Sequence, residues 1–290
     1  MVWRTDKIMK YAAFICTHGR PEAQYTYEAL RNGGYTGKII FIVDDEDNTV
    51  DELQGYIENG TYKAEIKMFC KQYYIDTVDI GRRVSDAKRA AILYAKCACE
   101  DLAKEMKLDA FIIADDDLTN FRYRYQEDGH LKSLKVSNLD AVIENYCQYI
   151  LDCNICMTSF GAMPLYMSGS LTHKKLEEAR IPYNILFRNA SIKFDWISEM
   201  NEDIISVLSD RSGSYIQMLP FVKYDMKELH AGAQGGMTAN YKSMSLFQRV
   251  QTIIMYAPVS VYYICMKMGI THAVHKDNAF PKLLSSRFKK

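Results

Sequence analysis

The chain has 290 residues, of which 48% are hydrophobic and 25% are charged, as in an ordinary globular protein with a substantial core. Lys plus Arg and Asp plus Glu number 36 each, so the formal net charge is zero. This balance excludes binding to nucleic acid through overall positive charge and leaves only a local basic patch for such a contact. The apolar stretch 253–266 is too short to span a membrane, and we expect it to be buried structure.

The first ten residues are polar and lack the apolar segment of a secretory signal, so we expect a cytoplasmic protein without a membrane span. Eight cysteines are present, and Cys153 and Cys156 form one C-x-x-C pair. A structural zinc site needs four ligands, and neither a second such pair nor a spaced histidine pair accompanies this one. The cysteines are therefore predicted to be reduced thiols packed as small hydrophobic groups.

The first 120 residues alternate short apolar strands with amphipathic helices. This order is typical of right-handed crossovers and a parallel sheet. Strands are predicted at 11–17, 38–43, 66–70 and 109–114, and helices at 21–31, 50–57 and 85–107.

The second half of the chain is less regular. It contains neither an internal repeat nor a low-complexity linker, so we predict one domain over residues 1–290. Helices are predicted at 137–151, 201–208 and 245–255, and strands at 155–159, 184–189 and 214–222.

Three groups of polar residues follow strands of the first half directly: 17–20, 44–47 and 115–117. Ligands of parallel α/β sheets bind at the carboxyl ends of the strands. We therefore expect these three groups to lie at one binding edge.

Asp115 and Asp117 stand two residues apart at a strand end, so their side chains can point the same way. Two neighbouring carboxylates repel, and hard oxygen ligands of this kind suit Mg²⁺ or Mn²⁺. Such an ion neutralises a diphosphate leaving group. The sequence thus predicts a metal site at these residues, and the alternative is a solvated acidic turn.

The Asp115-x-Asp117 motif follows an apolar strand, after an N-terminal strand–loop–helix unit and a second strand that ends in acids. This arrangement resembles the GT-A glycosyltransferases over the first 120 residues and more loosely beyond. It implies an α/β, Rossmann-like nucleotide-sugar-binding fold with a mixed, mostly parallel sheet flanked by helices. Residues 1–120 would then bind the nucleotide and residues 121–290 the acceptor.

A narrower resemblance rests on the loop Thr17-His18-Gly19-Arg20 followed by Gln24-x-Thr26-Tyr27. These residues are similar to those of phage DNA-modifying glycosyltransferases associated with TET-type hydroxylases. Those enzymes place sugars on 5-hydroxymethylpyrimidines in DNA. If the chain is phage-encoded, its expected location is the host cytoplasm.

The resemblance also implies roles for residues around the predicted edge. Nucleotide contacts are expected from polar groups after the first, second and fourth strands and from basic residues at the start of the long helix. The alternatives are a surface salt bridge, a solvated turn and a solvated basic helix face. The implied donor-binding residues are Thr17, Arg20, Asp44, Asp45, Arg83, Lys88, Arg89 and Asp116.

Two further roles are implied for the second half. Asp203 or Glu202, at a predicted helix start, would accept the proton of the acceptor hydroxyl, although acids are also favoured there by the helix dipole. His272, in preference to His275, would supply a third metal contact, or would be an ordinary polar histidine.

The expected function is metal-dependent transfer of a sugar from a nucleotide-diphosphate sugar, with a UDP-sugar favoured, to a hydroxyl acceptor. Hydroxymethylated DNA is the first candidate acceptor, and a cell-surface or capsule glycan is the second. A nucleotidyltransferase is a rival, as is a non-catalytic nucleotide-sugar-binding module. Intact Asp115 and Asp117 argue against the module.

Overall fold

The computed structural model describes residues 8–80, 92–128, 130–162, 181–210, 212–227, 245–266 and 269–274. In this part of the chain a nine-stranded mixed sheet carries helices on both faces, and a two-stranded sheet stands apart from it.

Strands run through the described chain from its first residues to its last. The largest sheet contains β1 to β9 and the small one contains β10 and β11. Their bounds are β1 Tyr11–Cys16, β2 Ile39–Asp44, β3 Glu65–Phe69, β4 Ala110–Asp115, β5 Leu118–Glu127, β6 His130–Lys135, β7 Ile155–Ala162, β8 Ile185–Asn189, β9 Tyr215–Met226, β10 Val261–Met266 and β11 Gly269–Val274.

Helices connect these strands and cover the large sheet. Their bounds are α1 Tyr25–Asn32, α2 Val50–Glu58, α3 Lys71–Thr77, α4 Ile92–Glu105, α5 Leu139–Asp152, α6 Glu202–Ser209 and α7 Leu246–Tyr256.

The strand order of the large sheet is β3-β2-β1-β4-β8-β7-β9-β5-β6. Strands β1 to β4 pair in parallel, as the sequence predicts. Beyond β4 the sheet is mostly antiparallel, since only β7 and β9 pair in parallel there. The expectation of an α/β fold built on a mixed sheet flanked by helices is confirmed. The expectation that the sheet is mostly parallel is wrong, because the strands beyond β4 add as many antiparallel pairs as there are parallel pairs in the whole sheet.

Strands β1, β2 and β4 are buried on both faces, which explains their nearly uniform apolar sequences. On β1, Ala13 and Ile15 pack into the core beneath α1, α2 and α5. Ala12 and Phe14 pack into the second core, beneath α3, α4, α6 and α7. This double burial fixes the carboxyl ends of the three strands side by side.

The expectation that 253–266 is buried structure is wrong for its second half. Ile253 is buried on α7, but Tyr262 and Tyr263 on β10 are exposed. The physical reason is that β10 pairs with β11 in a separate two-stranded sheet, and the consecutive residues Tyr262, Tyr263 and Ile264 are exposed on both of its faces. Phe247 of α7 stacks on Tyr263 with ring centroids 5.3 Å apart.

A buried ion pair joins β8 to α4. Arg188 is fully buried, and its Nε and Nη2 donate to the two carboxylate oxygens of Glu100 at 2.7 and 3.1 Å. Trp196 Nε1 donates to the same carboxylate at 3.1 Å. Because a buried charge without its partner is costly, this pair fixes α4 against the sheet.

Replacement of Arg188 should therefore strongly destabilise the protein. We expect Arg188→Met to lower the free energy of unfolding by about 3–5 kcal/mol, because it leaves the Glu100 carboxylate unpaired. Urea denaturation followed by circular dichroism measures this loss. Lys104→Met, which removes an exposed ion pair with Asp101, is the control and should cost less than about 1 kcal/mol. Equal losses in the two variants would contradict a structural role for the Arg188 pair.

Candidate active site at the carboxyl edge of the sheet

Helix α1 fixes the backbone of the aspartate triplet that follows β4. Thr26 N donates to the carbonyl of Asp116 at 3.1 Å, and Thr26 Oγ1 donates to the carbonyl of Asp115 at 2.5 Å. The same hydroxyl accepts a hydrogen bond from Leu118 N at 2.9 Å. One buried threonine thus ties the turn between β4 and β5 to the start of α1.

Both carboxylate oxygens of Asp116, the middle residue of the triplet, contact side chains of the loop after β1. Its Oδ2 accepts a hydrogen bond from Thr17 Oγ1 at 2.7 Å, and its Oδ1 lies 2.9 Å from Arg20 Nη2. Gln24 Nε2 in turn donates to Thr17 Oγ1 at 2.8 Å. Burial raises the pKa of Asp116 to about 6, although Arg20 opposes that rise. Arg20 thus forms a salt bridge, with the buried Asp116 as its partner. Its Nε is nevertheless buried without a hydrogen-bond partner.

Asp44, at the end of β2, is held between two cationic groups. Its Oδ2 lies 2.7 Å from His18 Nδ1, and its Oδ1 lies 2.7 Å from the buried Lys71 Nζ. Burial raises the pKa of Asp44, but the hydrogen bonds with His18 and Lys71 outweigh burial and leave it lowered. The hydrogen bond with Asp44 raises the pKa of His18.

The neighbouring acids lock the two loops together. Asp45 Oδ1 accepts a hydrogen bond from Lys71 N at 2.9 Å. Asp47 Oδ2 accepts one from Gly19 N at 3.0 Å, where glycine adopts a left-handed φ of 69°. The acids after β2 thus act as a framework for the loop after β1.

Asp117 has a carboxylate oxygen without a partner. Its Oδ1 is buried and forms no hydrogen bond. Burial raises the pKa of Asp117 to about 7, and the charges of Asp115 and Asp116 add to the rise. Burial also raises the pKa of Asp115, whose Oδ2 accepts a hydrogen bond from Asn184 Nδ2 at 2.7 Å.

The donor chemistry at Asp115 and Asp117 fits a divalent cation, because two electrostatically coupled carboxylates follow β4 and Asp117 Oδ1 is buried without a partner. Among the residues that the structure describes, no three acidic, histidine or cysteine side chains form a metal-binding group.

A buried lysine links these aspartates to the start of α6. Lys96 Nζ lies 2.7 Å from Glu202 Oε1 and 4.8 Å from the centre of the Trp196 ring. Burial lowers the pKa of Lys96, but the charges of Glu202, Asp115 and Asp203 outweigh burial and raise it. These carboxylates thus share one electrostatic neighbourhood.

Asp203 is the second acid at the start of α6. Its Oδ1 accepts a hydrogen bond from Ile204 N at 2.8 Å. Burial, followed by the charge of Glu202, raises its pKa to about 7. Asp203 therefore combines a place near the triplet with a carboxyl group that can exchange a proton near neutral pH.

The structure brings most of the predicted site residues to one edge of the sheet and leaves others apart or undescribed. Arg83, Lys88, Arg89 and His275 lie outside the described residues. His272 lies on β11 opposite Tyr263 in the separate two-stranded sheet, and its side chain is not among those described. The residues that meet at the edge are Thr17, Arg20, Asp44, Asp45, Asp115, Asp116, Asp117, Glu202 and Asp203.

Sequence reasoning missed four residues that complete this edge: Lys71, Lys96, Asn184 and Tyr224. His18 belongs to the predicted group 17–20 but was given no role of its own. One signal could have found Lys96, because it interrupts the apolar stripe of α4. A charged side chain on a buried helix face requires a partner.

Polar and acidic side chains at the carboxyl ends of parallel strands are typical of ligand-binding sites in α/β enzymes, and comparison with known families identifies the class. The family model of TET-Associated Glycosyltransferase matches residues 11–231. The chain belongs to this family and is a glycosyltransferase. The resemblance drawn from the loop after β1 is thereby confirmed.

Two solved structures share the general arrangement at low sequence identity. A protein of Desulfovibrio desulfuricans G20 assigned as a nucleotide-diphospho-sugar transferase is 8% identical, with a TM-score of 0.41 over 86% of this chain and 99% of its own. HddC from Yersinia pseudotuberculosis is 11% identical, with a TM-score of 0.40 over 81% and 97%. Such remote similarity carries no argument about the reaction. No curated protein matches the chain significantly.

In the described part of the chain, no helix combines the length and hydropathy that a membrane span requires.

The raised pKa values predict how stability depends on pH. A carboxyl group whose pKa is higher in the folded state stabilises the protein at low pH, and this contribution disappears as pH rises through the folded-state pKa. In metal-free buffer, the stability of Asp117→Asn relative to that of the wild type should therefore increase as the pH rises from about 5 to about 8. At the upper pH the difference should be about 1–3 kcal/mol, because a buried, unpaired carboxylate is removed.

Thermal melts of both proteins across this pH range, in the presence of a chelator, measure the difference. Asp128→Asn, in the exposed turn after β5, is the control and should follow the wild type at every pH. A constant difference between Asp117→Asn and the wild type would contradict the raised pKa.

Proposed function

We propose that this glycosyltransferase moves a sugar from a nucleotide-diphosphate sugar, with a UDP-sugar favoured, to the hydroxyl of a 5-hydroxymethylpyrimidine in DNA. The transfer would depend on Mn²⁺ or Mg²⁺ held by Asp115 and Asp117. The single observation that carries the proposal is the buried, unpartnered Oδ1 of Asp117 beside the Asp115 carboxylate. When bound, a divalent cation would neutralise charge on the departing diphosphate.

The loop after β1 supplies the donor contacts in this proposal. Arg20 is anchored to Asp116 through Nη2 and retains a buried Nε–H that can donate to a phosphate oxygen. Thr17 fixes the other oxygen of Asp116 and so holds the loop in place. Asp44 and Asp45 can still accept hydrogen bonds from the base or ribose, because each carboxylate oxygen has more than one lone pair.

Asp203 is the better candidate for the proton acceptor. Glu202 is committed to Lys96, and a carboxylate held in a buried ion pair is a poor base. In the described part of the chain, Asp203 accepts a hydrogen bond only from the Ile204 backbone N–H, at Oδ1, and burial raises its pKa to about 7. In the proposed step the acceptor oxygen bonds to the anomeric carbon, the bond from that carbon to the diphosphate oxygen breaks, and the acceptor proton passes to Asp203.

A local basic patch supports DNA as the acceptor, since the net charge offers no attraction. Lys135 and Arg122 lie opposite each other on β6 and β5, and the next residue across, Lys223 on β9, is buried near Asp225. Residues paired across strands project from the same face of a sheet, so the exposed Lys135 and the partly exposed Arg122 share this face. Arg122 lies five residues beyond Asp117, about 17 Å along an extended strand. This distance would allow a DNA backbone to rest on the patch while one nucleotide reaches the edge.

Nucleotide binding provides the first test. We expect UDP to raise the melting temperature only when Mn²⁺ is present, because metal and diphosphate would bind together. At 100 times its dissociation constant, a ligand adds about 2.7 kcal/mol. GDP, CDP and ADP are compared in parallel to identify the donor base. The Asp115→Asn, Asp117→Asn double variant should show no shift, and a shift equal to that of the wild type would contradict the metal site.

Transfer to DNA provides the second test. With its donor and Mn²⁺, the protein should add one sugar per hydroxymethylated base to a duplex and none to the same duplex with unmodified bases, as measured by mass spectrometry. Asp203→Asn should lower kcat by about 10²–10⁴-fold, whereas Asp210→Asn at the other end of α6 should leave it unchanged.

The basic patch is tested by the salt dependence of duplex binding. Arg122→Gln and Lys135→Gln should each reduce the slope of log affinity against log salt by about 1, while Lys38→Gln at the opposite edge should not. Donor hydrolysis with no transfer to any hydroxymethylated duplex would reject DNA and redirect the acceptor search to glycans.

A further inference from the structure

Asn184, just before β8, is attached to Asp115 twice. The backbone N–H of Asp115 donates to the carbonyl of Asn184 at 2.8 Å. Asn184 Nδ2 donates to Asp115 Oδ2 at 2.7 Å. The first contact fixes the backbone of the aspartate, and the second fixes the rotation of its carboxylate.

Tyr224 of β9 holds the other end of the Asn184 amide. Its hydroxyl lies 2.8 Å from Asn184 Oδ1, and the side chain is 1% exposed. An ionised carboxylate can only accept hydrogen bonds, so the amide nitrogen must face Asp115 and the amide oxygen must face Tyr224. The orientation of the Asn184 side chain is therefore determined from both sides.

The backbone of Asn184 has a left-handed φ of 55°. Asparagine is one of the few residues with a side chain that adopts this conformation readily. Glycine would adopt it as easily but would lack the amide. The position thus combines a backbone requirement with a side-chain requirement that only an amide meets.

We infer that Asn184, held by Tyr224, is a positioning residue for the metal-binding carboxylate of Asp115, an inference that rests on the proposed function. Because Asn184 holds Oδ2 and so fixes the rotation of the carboxylate, Oδ1 would be the oxygen offered to the cation. Partners of this kind orient metal ligands, and their loss lowers metal affinity by about 10–100-fold.

The test measures Mn²⁺ affinity directly, by electron paramagnetic resonance of free Mn²⁺ in the presence of UDP. Asn184→Gly keeps the left-handed backbone and removes the amide, and Asn184→Asp replaces the donor by a second carboxylate. We expect Asn184→Gly to bind Mn²⁺ about 10–100-fold more weakly than the wild type. In Asn184→Asp the added negative charge attracts Mn²⁺ and offsets part of this loss, so its affinity should differ from that of the wild type by less. In transfer assays the Mn²⁺ concentration for half-maximal rate should rise more than kcat falls.

Tyr224→Phe leaves Asn184 in place but frees its amide, and should weaken Mn²⁺ binding several-fold. Tyr146→Phe is its matched control, because the buried Tyr146 hydroxyl donates to the Leu219 carbonyl at 3.2 Å, away from the triplet. This control should bind Mn²⁺ like the wild type.

Three outcomes would overturn the inference, and they differ in whether they also contradict the proposed metal site. If the wild type binds no Mn²⁺ with UDP, the metal site of the proposed function fails as well. If the wild type binds Mn²⁺ and both Asn184 variants bind it equally well, only the positioning role fails. If Tyr146→Phe weakens Mn²⁺ binding as much as Tyr224→Phe does, the effect is general loosening of the core rather than orientation of Asp115.

Discussion

Repulsion between buried carboxylates is the constraint around which this protein is arranged. The acids after β4 and those at the start of α6 lie close enough to interact electrostatically. Burial raises their pKa values, and the charges of neighbouring carboxylates add to the rise. Arg20 compensates Asp116, and Lys96 compensates Glu202, but Asp117 retains an unpartnered oxygen. The fold thus tolerates a carboxylate oxygen without a partner at Asp117, and a cationic ligand would be stabilised most by binding there.

Much of the fold follows from local sequence signals. Strands β1, β2 and β4 were predictable because burial on both faces requires nearly continuous apolar residues. The β5–β6 hairpin was missed, although the sequence indicates it. Apolar and polar residues alternate there, and Asp128-Gly129 is a strong signal for a hairpin turn. Asp128 indeed has a left-handed φ of 51°. The β10–β11 sheet was missed because its apolar run was interpreted as buried structure.

The candidate site was only partly predictable, for a different reason. Thr17, Arg20 and the aspartates could be located because the carboxyl ends of neighbouring parallel strands must meet. The partners that give each acid its role come from distant parts of the chain, as in the pairing of Asp115 with Asn184. The difference between Asp203 and Glu202 likewise depends on Lys96, about one hundred residues earlier. Spacing along the sequence carries no information about such contacts.

The aspartate triplet is also the joint between the two halves of the sheet. On one side, Thr26 binds the carbonyls of Asp115 and Asp116. On the other, the carbonyl of Asp117 accepts a hydrogen bond from Lys227 N, where β9 ends. A chimaera that exchanges the second half of the chain for that of a relative would therefore need to keep this joint intact. Splicing within residues 115–118 would disconnect the donor edge from the strands that β5 and β9 contribute.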